Sequence, residues 1–166
     1  ELMMDNPSQK YQSGDDVFLL HAVKNKYGSS SIHFLKDKGA IVKTTPPEGL
    51  LGLLNQRFRW VSKSRGYQDL MTVVTAFGVF FYSFFTLLLF VISLFLGDFF
   101  LPFFILIAIK VLVDLPLIAG ICTFFKRMGL LWYYLPVQAF HIPFIVFTGI
   151  AGNLTGFSWK GRANKI

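Results

Sequence analysis

Residues 70–96 read LMTVVTAFGVFFYSFFTLLLFVISLFL, twenty-seven positions without one formal charge. At about 1.5 Å per residue a helix of that length spans about 40 Å, more than the roughly 30 Å hydrocarbon core of a bilayer. The stretch therefore predicts a tilted transmembrane helix. Gly97-Asp98 allows only a tight turn, so Phe99 to Phe125 must return as an antiparallel neighbour. Lys126-Arg127 is a short basic loop, and Met128 to Gly152 forms a third apolar segment. Pro136, Gln138, His141 and Pro143 interrupt that segment and suggest a kinked helix or a re-entrant hairpin, since each proline removes an internal hydrogen bond.

Composition agrees with a membrane region. Hydrophobic residues make up 54% of the 166 positions and charged residues 15%, against roughly 25% charged in a soluble domain. Residues 1–69 carry ten Lys/Arg and seven Asp/Glu, residues 70–125 one Lys and two Asp, and residues 126–166 five Lys/Arg and no acid. Basic clusters that flank an apolar block are anchors beside anionic lipid rather than a nucleic-acid footprint. Cys122 is the one cysteine, which excludes an intrachain disulfide and a cysteine-based zinc site. His141 has no second ligand at a metal-binding spacing. The tail containing Trp159-Lys160-Gly161-Arg162 resembles an interfacial anchor, yet a complete third crossing would put it opposite Lys126-Arg127, against the positive-inside rule. The chain opens mid-pattern at Glu1 without a start methionine, and reads as a fragment.

Upstream of the apolar block the pattern is polar. Asn6-Pro7-Ser8 marks a loop. From Asp16 onward, Val17, Phe18, Leu19, Leu20, Ala22 and Val23 predict a short helix ending near Tyr27-Gly28. Asp15 and Asp16 fall in its first turn, where carboxylates suit the positive end of the helix dipole. Residues 31–36 and 40–45 each predict a strand, the second closed by Pro46-Pro47. A second helix is expected from about Glu48, docked by Leu50, Leu51, Leu54, Phe58 and Val61. On it Gln56, Arg59, Trp60 and Lys63 stand at spacings 0, 3, 4 and 7, hence on one stripe. Arg59 suits a bidentate bond to phosphate, Gln56 can donate and accept, and Trp60 offers a face to a sugar ring. The same stripe also suits a juxtamembrane helix at the headgroup level.

Ser13-Gly14-Asp15-Asp16 and, forty positions on, the Gln-x-x-Arg-Trp pattern at Gln56, Arg59 and Trp60 together resemble the second half of a processive-type family 2 glycosyltransferase. That group contains the cellulose, hyaluronan and chitin synthases. The resemblance is specific over residues 13 to about 64 and rests on architecture beyond them. It implies an α+β fragment of a GT-A catalytic domain over residues 1–69, a helical membrane region of three apolar segments over 70–152 (70–96, 99–125 and 128–152), and a basic tail over 153–166. It also implies inverting transfer from a nucleotide-sugar, a UDP-sugar, to a polysaccharide or lipid acceptor, with Asp16 as general base. Asp15 would stand beside it in the donor and acceptor site, Gln56 and Arg59 at the donor diphosphate, and Trp60 at the acceptor terminus. Mg or Mn would be held by a site upstream of Glu1, so no metal ligand is expected here and the fragment alone should be inactive. The partners implied are donor, glycan or lipid acceptor and membrane lipid, with no nucleic acid. The location implied is a bacterial inner membrane crossed several times, the catalytic region facing the cytoplasm.

Two further readings stand beside it: transfer of a single sugar to a lipid, and a non-catalytic membrane anchor or binding protein. Lys110 and Asp114, four apart on one face of the second span, are either a structural ion pair or the side of a polar path for a growing glycan or lipid-linked acceptor.

Overall fold

Five α-helices carry the described chain, and most of their ends follow from local chemistry. The structure is a computed structural model that describes residues 15–67, 69–155, 157–159 and 162–164. The chain divides into two units, Glu1–Thr75 with Thr148–Ile166, and Ala76–Phe147.

In the first unit, α1 runs Asp15–Tyr27 and is closed by Gly28, whose N–H donates to the Lys24 carbonyl at 2.9 Å. Gly28 has φ +82°, a left-handed conformation that costs a side-chain-bearing residue and not glycine. Helix α2 spans Gly49–Lys63 and ends in a 3-10 turn, Ser64–Gly66. There the Ser62 and Ser64 hydroxyls donate back to the carbonyls of Arg59 and Val61. Two three-residue strands, β1 (Phe157–Trp159) and β2 (Arg162–Asn164), pair antiparallel, and β1 lies against α2.

This overturns the expected α+β domain. Neither segment 31–36 nor 40–45 is a strand: Ser29–Ser31 and Lys38–Ala40 are 3-10 turns, and 32–37 and 41–47 have no regular structure. The Asp37 carboxylate accepts from the Gly39 N–H and holds the second turn. β-branched content alone does not make a sheet, because a register is enforced only where one face is buried. Phe34 is 89% exposed and Val42 83%, so nothing sets a register here.

The apolar block folds as three helices long and apolar enough to cross a membrane. These are α3 (Leu70–Ser93), α4 (Phe100–Phe124) and α5 (Tyr134–Leu154). A 3-10 turn at Gly97–Phe99 reverses the chain between α3 and α4, and another at Met128–Tyr133 leads into α5. The third apolar segment is therefore not a re-entrant hairpin: Pro136 sits in the first turn of α5, where its missing N–H has no helical partner to lose, and only Pro143 lies deeper.

Between α4 and the basic loop the helix ends in a paired cap. Arg127 N–H donates to the Cys122 carbonyl at 2.7 Å and Lys126 N–H to that of Thr123 at 3.1 Å. Lys126 takes φ +55° in this cap, a position that glycine usually fills.

In the second unit the buried face of α3 is lined by small hydroxylated residues. Ser83, Thr86 and Ser93 are at most 1% exposed, and each hydroxyl donates to a carbonyl three or four residues back, Val79, Tyr82 and Phe90. Their spacing puts them on one face of α3. Small hydroxylated residues let membrane helices approach closely without leaving a polar group unpaired. Phe77, Phe81 and Phe85 are 58%, 48% and 53% exposed and stack at successive i, i+4 positions. The Tyr82 hydroxyl crosses to donate to the Leu106 carbonyl on α4, and Phe90 meets Phe103 at 5.3 Å.

Candidate functional site

Asp16 stands in the first turn of α1, exposed, at the rim of an open pocket of about 340 Å³. Leu19, Leu20 and Val23 from the same helix line it, and the loop after α1 adds Ser31, Ile32 and His33. The sequence reading assigned Ser31 and His33 to a strand and did not connect either with Asp16. Asp15 begins α1, but its side chain lies outside the described residues, as do Ser13 and Gly14.

The opposite face of α1 holds it in place. Phe18 and His21, 3% and 7% exposed, pack against the edge of Tyr67 at 6.1 and 5.5 Å between ring centres. Burial raises the Tyr67 hydroxyl above its ordinary pKa, and the negative charge of Asp16 adds to that rise. One turn after His21, Lys24 forms an ion pair with Asp69. Asp69 also caps α3, its second carboxylate oxygen accepting from the Thr72 N–H at 2.9 Å and the Thr72 hydroxyl at 2.8 Å. The bond from Lys24, then those from Thr72, hold the Asp69 carboxyl well below the usual aspartate range. Apolar periodicity passes over this clamp, although half of it has a sequence signal: an Asp immediately before an apolar run, with Thr72 three positions on, marks a helix start.

Helix α2 carries the second motif on a more mixed face than its spacing predicts. Gln56 and Arg59 are half-buried, Trp60 is 42% exposed and Lys63 is buried. The Arg57 guanidinium lies over the Trp60 ring, 4.6 Å from its centre. Leu50 and Leu51, expected to dock the helix, are 67% and 77% exposed. Docking falls instead to the C-terminal half, where Phe58 and Val61 meet Gly152 near the end of α5. A β-carbon on Gly152 would stand 3.0 Å from Val61 Cβ and 3.3 Å from Phe58 Cα.

The pocket at Asp16 includes none of Gln56, Arg59 or Trp60 in its lining. The two motifs thus occupy separate helices, each with its own surroundings. Among the described residues no three His, Cys, Asp or Glu side chains come together to hold a metal ion. In the second unit Lys110 donates to Asp114 at 2.6 Å, an i, i+4 pair partly sheltered from the surroundings. Compared with protein-family models, characterised proteins and solved structures, the chain matches none.

Proposed function

We propose that the chain is the acceptor-side and membrane part of an inverting glycosyltransferase that moves a sugar from a nucleotide-sugar to a glycan or lipid acceptor. One observation carries the reading: Asp16 is free to meet a substrate, exposed at the mouth of an open pocket lined by polar and apolar groups. The succession in sequence of Gly-Asp-Asp and Gln-x-x-Arg-Trp supports it, the second on a helix that precedes the first long apolar helix.

In this mechanism Asp16 removes the proton of the acceptor hydroxyl as its oxygen attacks the anomeric carbon. The bond from that carbon to the diphosphate breaks on the opposite face, which inverts the configuration. Arg59 and Gln56 bind the departing diphosphate, and Trp60 supports the acceptor sugar or chain end. Mg or Mn would add charge compensation from residues outside those described. The apolar helices would hold the enzyme in a cell membrane as a multi-pass protein, with α1 and α2 on the cytoplasmic side.

Asp16→Asn in the intact protein tests this directly. Transfer of radiolabelled sugar from UDP-sugars should fall at least about a hundredfold, the ordinary contribution of a general base, while calorimetric binding of the donor stays unchanged. Full turnover by the variant would refute the assignment.

A further inference from the structure

Within the unit Ala76–Phe147, helices α3, α4 and α5 line a half-open cavity of about 330 Å³, at the lower end of the roughly 300–1,000 Å³ found for ligand pockets. Most of its wall is aliphatic or aromatic, with Phe90, Phe103 and Ile142 among the lining residues, and its polar exceptions are Thr86, Lys110 and Gln138. Thr86 is satisfied by the Tyr82 carbonyl. Lys110 gives one of its three N–H donors to Asp114. Gln138 is only 9% exposed, and its Oε1 has no hydrogen-bond partner among the described residues. The Tyr134 hydroxyl, one turn earlier on α5, is likewise buried without a hydrogen-bond partner among the described residues.

Depth makes that orphaned acceptor informative. Lys110 lies about 15 Å along α4 from Phe100 and about 21 Å from Phe124, and Gln138 lines the same cavity; with α4 across a bilayer that cavity is at mid-depth, where no water can reach a bare amide oxygen. Phe104 and Leu135 also line the cavity and are 60% and 63% exposed. In a membrane that exposure is to acyl chains, so the occupant arrives sideways from the lipid. It needs an apolar body and a proton to give to Gln138 Oε1. A hydroxyl provides that proton and can accept from Lys110 in return. A hydrocarbon satisfies neither group, and an ionised carboxylate has no proton to give to Gln138 Oε1.

We propose that this cavity binds the apolar chain of a membrane alcohol whose hydroxyl donates to Gln138 and accepts from Lys110. The inference requires the membrane location but not glycosyl transfer. The full chain is reconstituted in phosphatidylcholine vesicles and photolabelled with a diazirine analogue of hexadecanol, of hexadecane or of hexadecanoic acid, with peptide mapping of the adduct. The alcohol should label α3–α5 residues around the cavity several-fold more than the other two probes. Competition by unlabelled hexadecanol or by geranylgeraniol then tells a fatty from an isoprenoid source.

Gln138→Leu, nearly volume-conserving, should cut capture of the alcohol about tenfold, the loss of one buried hydrogen bond. Ala139→Phe, which fills the cavity, should abolish it. Ser93→Ala removes a buried hydroxyl of the same helical unit that does not line the cavity, and should leave capture unchanged. Circular dichroism of each variant checks that the helices form, and Gln138→Leu carries the test if Ala139→Phe does not fold. Equal labelling by the alkane, capture unaffected in Gln138→Leu, or an equal fall in Ser93→Ala would overturn the proposal. Loss of the chain from the vesicles in an alkaline wash would overturn the membrane location, and the proposal with it.

Discussion

Gly152→Ala is the sharpest probe of how α2, the helix of Gln56, Arg59 and Trp60, is seated. Exchanging glycine for alanine inside an exposed helix should stabilise it by about 1 kcal/mol. At Gly152 the new β-carbon would stand 3.0 Å from Val61 Cβ and 3.1 Å from its Cγ1, with the Phe58 backbone at 3.3 Å. Those contacts are tighter than ordinary van der Waals separations, and one of them is to backbone, which cannot rotate away. Overpacking of this kind costs about 1–3 kcal/mol, so the net effect should run from near neutral to about 2 kcal/mol destabilising. Val61→Ala removes the close Cγ1 methyl while leaving the Cβ contact, and should recover part of the loss in the double variant. Thermal unfolding in detergent, followed by circular dichroism, yields the coupling, expected at about 1 kcal/mol. Trp60 fluorescence reports separately whether α2 has lifted. A Gly152→Ala protein stabilised by the full helix-propensity gain, with no coupling to Val61→Ala, would refute the close approach.

Other outcomes follow from particular contacts. Asp69→Asn should lower the unfolding midpoint, because it removes the charge that pairs with Lys24 while an amide oxygen can still cap α3. Its folded carboxyl is depressed, so the stabilisation it brings is complete above the ordinary aspartate value of about 4 and is lost as pH falls through the depressed value. Wild type and variant should therefore differ at about pH 7 and converge in strong acid; a difference that grows on acidification would contradict the pair. Lys126→Gly relieves a left-handed conformation at the end of α4 and should stabilise by about 1 kcal/mol in chemical denaturation. Lys110→Met leaves Asp114 without its partner in an apolar span and should destabilise by about 3 kcal/mol, whereas the double change Lys110→Met with Asp114→Leu should recover most of that. Unchanged unfolding of the single variant would show the pair to be without structural weight.

The three long apolar helices were legible because their signal is local and strong. Twenty-seven uncharged residues in a row favour one long helix, and Gly97-Asp98 is too short for anything but a turn. Both short helices were legible too: α1 from the run after Asp16 up to Gly28, α2 from the spacing that begins after Pro47. The two expected strands failed because pairing is not local. Residues 32–37 and 41–47 have suitable side chains, but among the described residues no strand pairs with them and none of them is buried to fix a register.

The candidate site divides along the same line. Chain order is enough to say which residue types neighbour one another along each helix: Asp15 and Asp16 in one first turn, Gln56, Arg59 and Trp60 within one turn and a half, Lys110 four before Asp114. Their surroundings came from the folded arrangement instead. It exposed Leu50 and Leu51, buried Lys63, laid Arg57 over Trp60, and gave Asp16 the neighbours Ser31 and His33. It also left Gln138 Oε1 without a partner beside a cavity. Spacing fixes an angle around a helix axis, whereas burial depends on which segments distant in the chain come to cover that angle, and no periodicity encodes it.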